Sequence, residues 1–204
     1  RSAMTVALVL VAAYLIGGIP FGYLIVKLTT GEDVRSMGSG NIGATNVLRT
    51  TGRAVAILTL LLDIGKGALA VWIADRYLNG SVLWMSAAAL AVMLGHAFPI
   101  FLKFRGGKAV ASFVGAFLYL TPAALLSCLL VFVIVVAVTK YISMGSIVAA
   151  GLLPVAVVLI YHPAVEVLAA SVLAGAFIVW RHRSNIGRIR AGNENVFSFR
   201  GVKR

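Results

Sequence analysis

"AVASFVGAFLYLTPAALLSCLLVFVIVVAVT", residues 109–139, runs for 31 residues without a charged side chain. A spanning helix needs about 20 apolar residues. The run is long for one crossing and short for two. It contains one breaker, Thr121-Pro122. Proline has no N–H for the helical ladder and disfavours helix in the residue before it. The stretch therefore reads as one long tilted helix or as two helices hinged at 121–122.

On either side lie further uncharged or nearly uncharged stretches, at 4–26, 54–74, 82–102, 141–161 and 164–180. Each reads as a single helix. Whether 109–139 is one span or two decides which loops share a side. With two, Lys27, Arg35, Arg49 and Arg53 lie with Lys103, Arg105, Lys108 and Lys140. Arg181, Arg183, Arg188, Arg190, Arg200, Lys203 and Arg204 join them, and only Arg1 and Arg76 lie opposite. With one, the C-terminal positives oppose the first two basic loops. Basic residues collect on the cytoplasmic face. The sequence thus predicts an all-α polytopic integral membrane protein with seven transmembrane helices. Its N-terminus is out, its C-terminus is cytoplasmic, and residues 1–204 form a single membrane domain. The fourth helix, about 108–120, is short for a crossing.

The bulk numbers agree. The chain of 204 residues is 61% hydrophobic, with a mean hydropathy of +1.01. Soluble domains are about 45–50% apolar. A transmembrane barrel alternates over segments of about 10 residues, and these runs are continuous. The net charge of +12 follows from sidedness, so no nucleic-acid partner is expected. Cys128 is the one cysteine, which rules out an internal disulfide. Arg-Ser-Ala ahead of Met4 reads as a vector remnant and is left out of the fold reasoning.

Three polar segments fall on the basic side: "SGNIGATNVLRTTG" (39–52), "GHAFPIFLKFRGGKAVA" (95–111) and "RHRSNIGRIRAGNEN" (181–195). In the first, Gly40 and Gly43 permit inward-turned backbone amides, as in anion-binding nests. Ser39, Asn41, Thr45 and Asn46 add side-chain donors, and Arg49 adds a cation. A plain turn with helix caps needs fewer such residues. In the second, Gly106 and Gly107 stand between Arg105 and Lys108 at a helix start, an arrangement suited to phosphate. His96 lies just inside the preceding helix, as a structural hydrogen-bonder or a catalytic group. In the third, His182 and Asn185 stand among arginines that otherwise suit lipid headgroups. Glu194 is the only acid after residue 166 and reads as the arginine partner that ties the tail down. Asp63 and Lys66 are three apart on one helix, spaced to pair, as a packing lock or a functional couple. Ser143 and Ser146 either line a pocket or allow close helix packing.

Together, in this order, the three segments resemble the bacterial acyl-phosphate-dependent glycerol-3-phosphate acyltransferases, the PlsY type. The resemblance covers essentially the whole chain. One departure is Ala109 in "GGKAVA", where glycine is expected. The resemblance implies transfer of a fatty acyl group from acyl phosphate to glycerol 3-phosphate, giving lysophosphatidic acid and phosphate. It implies a multi-pass protein of the bacterial inner membrane, with membrane lipid around it and its site on the cytoplasmic side. It assigns Ser39, Arg49, His182 and Asn185 to catalysis. Gly106, Gly107 and Lys108 are assigned to glycerol 3-phosphate. No metal and no cofactor are expected. The proton acceptor stays open between His182, His96 and a substrate phosphate, whose second pKa is about 6. The rival class is a transporter for an organic phosphate. The short, donor-poor loops on the far side count against it.

Overall fold

The computed structural model describes residues 2–197, and every regular element among them is helical. Arg1, Arg200, Lys203 and Arg204, which enter the charge argument, lie outside the described residues. Helix α1 (Ala3–Gly18) opens on Ser2, whose hydroxyl accepts from the Thr5 amide, the usual N-cap bond. It stops before Ile19-Pro20, and α2 (Phe21–Thr30) carries the segment on. Ile19 is extended, with φ −62° and ψ 114°, as a residue before proline prefers. The first apolar stretch is thus a broken span of 28 residues.

Next come α3 (Ala44–Thr50), α4 (Arg53–Tyr77), α5 (Val82–Ala97) and α6 (Val110–Leu120). They are followed by α7 (Pro122–Thr139), α8 (Ile142–Tyr161), α9 (Val165–Arg181) and α10 (Arg183–Arg190). The run 109–139 breaks at Thr121. Pro122 becomes the first residue of α7, where a missing N–H costs nothing. With 11 residues, α6 is only about 16 Å long, roughly half the hydrocarbon thickness. Five segments are long and apolar enough to cross a membrane. Joining α9 to α10 across a 54° bend makes a sixth, and α6 falls among the shorter apolar helices. Among the described residues the expected seven crossings are therefore not reached: five segments qualify, or six with the bent pair.

Helices in lipid gain little from mutual hydrophobic burial, so close backbone packing at small residues holds them. A Cβ at Gly17 would sit 2.1 Å from the Val92 carbonyl oxygen, and one at Gly95 would sit 2.0 Å from that of Tyr14. These contacts lock α1 to α5. Likewise a Cβ at Gly67 would sit 2.2 Å from the Ser112 carbonyl oxygen, and one at Gly115 would sit 1.8 Å from that of Ile64. These lock α4 to α6. Farther round the bundle, α5 packs on α9, α9 on α8, and α8 on α7. Because α6 is short, a space remains beyond its N-terminal end. Helices α3, α4, α7, α8 and α10 border it.

Candidate active site

That space is a cavity of about 570 Å³. Its deep walls are apolar, with Leu60 and Ile64 from α4, Phe113 from α6, Leu125 and Leu129 from α7, and Ala150 from α8. Its mouth is polar and is built from all three segments: Ser39, Asn41, Gly43, Thr45, Asn46 and Arg49; Lys108; and His182, Asn185, Arg188 and Glu194. A second, polar pocket of about 240 Å³ adjoins it, sharing Ser39, Asn41, Lys108 and Arg188 and adding Arg181, Arg183 and Ser184.

The first segment is not an open loop. Asn46, in the first turn of α3, is buried, and all of its amide is engaged by residues 34–41. Its Nδ2 donates to the carbonyls of Asn41 (2.9 Å), Met37 (3.1 Å) and Val34 (3.3 Å). Its Oδ1 accepts from the Ser39 amide at 2.8 Å. Gly40 takes φ 70° and donates its N–H to the Met37 carbonyl. The Gly43 amide donates to Asn41 Oδ1 at 2.8 Å. The glycines shape the turn, and these backbone donors face the loop itself, contrary to the expected nest. What the segment presents to the cavity is side chains, above all Arg49. Among the described residues, Arg49 has no hydrogen-bond or ion-pair partner.

Gly106 and Gly107 also differ from expectation. Their amides donate to the Ala97 and His96 carbonyls, both at 3.1 Å. The loop thereby caps the orphan carbonyls that end α5. Glycine is needed for closeness here: a Cβ at Gly106 would lie 2.1 Å from the His96 carbonyl oxygen, and one at Gly107 would lie 2.2 Å from His96 Nε2. Arg181 Nη2 donates to the carbonyl of Gly107 at 2.7 Å. Its guanidinium lies over the Phe98 ring at 5.1 Å. Arg181 was not singled out from the sequence, where it reads as one more membrane-flanking cation. Ala109 follows in the left-handed region, at φ 63°. That explains why glycine suits this position.

The loop thus delivers Lys108 into a chain of contacts. Lys108 Nζ donates to Asn185 Oδ1. Asn185 Nδ2 donates to Glu194 Oε1 at 2.9 Å. Glu194 Oε2 accepts from Arg188 Nε, also at 2.9 Å. Burial, reinforced by Arg188, Arg49 and Arg181, pushes the Lys108 ammonium down to about 8, against the pull of Glu194. His182 and Asn185 are both buried and border the same cavity across the α9–α10 bend. His182 Nδ1 lies 2.8 Å from the Ile178 carbonyl. A carbonyl only accepts, so Nδ1 carries the proton, and Nε2 of the neutral ring is the acceptor.

Below the mouth, Lys66 Nζ lies 2.7 Å from Asp63 Oδ1 and donates to the Ile19 carbonyl at 2.9 Å, next to the α1–α2 break. His96 Nδ1 is 3.7 Å from the same Asp63 oxygen. Asp63 and His96 both border the cavity, while Lys66 ties α4 to α1. Ser146 lines the wall with its hydroxyl bonded to the Ile142 carbonyl at 2.9 Å. Among the described residues, no group of three His, Cys, Asp or Glu is placed to hold a metal ion.

The fold is thus an all-α membrane protein whose apolar cavity opens through a cation-rich mouth. The chain belongs to the glycerol-3-phosphate acyltransferase family, whose profile matches residues 7–192. A glycerol-3-phosphate acyltransferase of Geotalea daltonii is 46% identical over 195 residues, covering 95% of this chain and 99% of the relative. One from Trichlorobacter lovleyi is 48% identical over 196 residues, with shares of 95% and 99%. The crystal structure of PlsY (YgiH) in its glycerol 3-phosphate form superposes with a TM-score of 0.89 at 36% identity, covering 95% of this chain and 96% of that one. Its lysophosphatidic acid form gives 0.87 at 34%, with the same coverage.

Proposed function

We propose that the chain transfers a fatty acyl group from acyl phosphate to glycerol 3-phosphate at the polar mouth of this cavity, releasing lysophosphatidic acid and phosphate. The observation that carries this is the charge balance. Arg49, Lys108 and Arg188 line the mouth with one carboxylate, Glu194, which Arg188 already pairs, and Arg181 lines the adjoining pocket. Such an excess of half-buried cations is suited to phosphate dianions. The relatives share acyl transfer to glycerol 3-phosphate. The apolar cavity suits the acyl chain of the donor.

In this reading the donor's chain lies between α4, α6, α7 and α8, and its phosphate meets Arg49 and Ser39. Glycerol 3-phosphate places its phosphate in the adjoining polar pocket, against Lys108 and Arg181. A glycerol hydroxyl oxygen attacks the acyl carbon. The bond from that carbon to the phosphate oxygen breaks, and phosphate leaves with the electron pair. Cationic donors at the mouth stabilise the charge that develops on the acyl oxygen. The hydroxyl proton has two acceptors within the site, His182 Nε2 and a substrate phosphate oxygen with a second pKa of about 6. Asn185 holds Lys108 on one side and Glu194 on the other. Asn46 holds the loop that carries Ser39 and Arg49. No metal or cofactor takes part. The helices cross as seven segments, α6 incompletely. The N-terminus is outside, and the mouth opens on the cytoplasmic face of a bacterial inner membrane.

The test is donor choice with purified protein in detergent. Hexadecanoyl phosphate with glycerol 3-phosphate should yield lysophosphatidic acid and one phosphate per turnover. Robust turnover with acyl-CoA alone would overturn the donor assignment.

A further inference from the structure

The apolar cavity does not run the length of the bundle. Its lining stops at Ile64 on α4, although that helix runs on to Tyr77. On α6 it stops at Val114, short of Leu120, and on α8 at Ala150, short of Tyr161. Helix α7 enters from the far end, and its first lining residue is Leu125. All four helices thus run on past the residues that line the cavity.

The packing beyond those residues explains the stop. The α4–α6 seam closes backbone to backbone, with a Gly115 Cβ placed 1.8 Å from the Ile64 carbonyl oxygen. The Phe113 ring stands against that of Phe117 at 5.0 Å between centroids. Phe117 and Leu125 are fully buried. Between mouth and floor the lining on α4 spans Arg53 to Ile64, roughly 16 Å along the helix. Close-packed interiors do not stretch to admit extra methylenes.

We infer that the closed end formed by Phe113, Leu125 and Ala150 sets the longest acyl chain that the enzyme accepts. This rests on the proposed acyl-phosphate reading, which places the donor's chain in the cavity. Each methylene added within the cavity improves use of the donor by roughly fourfold, the usual gain for burying one CH₂. A chain that reaches the floor gains nothing further, and a longer one must bend or withdraw its head from Lys108 and Arg49.

The experiment compares kcat/KM for saturated acyl phosphates from decanoyl to octadecanoyl in the purified wild type, Leu125→Ala and Cys128→Phe. Cys128 is a small wall residue one turn nearer the mouth than Leu125. A ring there raises the floor by about 4.5 Å. Cys128→Phe should lower the hexadecanoyl-to-dodecanoyl ratio by at least about tenfold. Leu125→Ala should raise the octadecanoyl-to-hexadecanoyl ratio by roughly fourfold or more. If Cys128→Phe fails to fold, Leu125→Ala decides by itself. An unchanged chain-length profile in folded Leu125→Ala means that the chain leaves sideways into lipid, which overturns the inference. No transfer from any acyl phosphate by the wild type is a different result: it overturns the proposed function, and this inference with it.

Discussion

Residues 34–52 are closed by one of their own side chains, Asn46, which gathers four hydrogen bonds from five to twelve residues back in the chain. Residues 103–109 are held at Gly106 and Gly107 by the end of α5 and by α9. Two α5 carbonyls take the Gly106 and Gly107 amides, the His96 ring fills the place of a side chain at Gly107, and Arg181 holds the loop carbonyls. Both segments bring a cation to the same cavity. The first is a self-contained motif, so its geometry survives as a unit. The second takes its shape only when α5 and α9 are in place, so Lys108 is positioned by the assembled bundle.

The comparison predicts different kinds of damage. Asn46→Ala leaves three carbonyls and an amide without their partner and should cost about 3 kcal/mol of stability, the largest effect, read as a lower melting temperature in detergent. Gly107→Ala drives a methyl into the His96 ring. Its harm should be partly relieved by adding His96→Ala, with a coupling of about 1–2 kcal/mol in a double-mutant cycle on stability. Simple additivity would separate the loop from His96 and break the comparison. The smallest effect belongs to Ala109→Gly. Removing a left-handed alanine should raise stability by about 1 kcal/mol, and a fall in melting temperature would count against the strain.

What could be read from sequence was what neighbours in the chain decide. The break at Thr121-Pro122 is a local steric fact, and the structure breaks there. The break at Ile19-Pro20 follows the same rule, but a continuous apolar run hides it. The side chains of the first motif are legible as a polar cluster because Ser39, Asn41, Asn46 and Arg49 are adjacent in sequence. The partners of Gly106 and Gly107 were not legible, since their acceptors lie at the end of another helix. Nor was Arg181, whose role depends on a loop 74 residues away. Asp63 and Lys66 announce a pair by their spacing, whereas His96 joins Asp63 only through helix packing. Short α3 was missed because glycine, asparagine and threonine read as loop, yet Val47 is fully buried there and packing overrides propensity.

In the proposed reaction the assembled bundle delivers Lys108 as a charged ligand for a substrate phosphate. The direct test is the pH profile of kcat/KM for glycerol 3-phosphate in the wild type and in Lys108→Ala. Lys108 is pushed down to about 8, so its charge is present below that pH and is lost as pH rises through it. The wild type should therefore lose activity through about pH 8, well short of the ordinary lysine value near 10.4. In Lys108→Ala, kcat/KM should be reduced at least about tenfold at pH 7, as befits loss of a charge-assisted hydrogen bond, and this alkaline fall should disappear. An alkaline fall that persists unchanged in Lys108→Ala, or wild-type kinetics in that variant, would contradict the account.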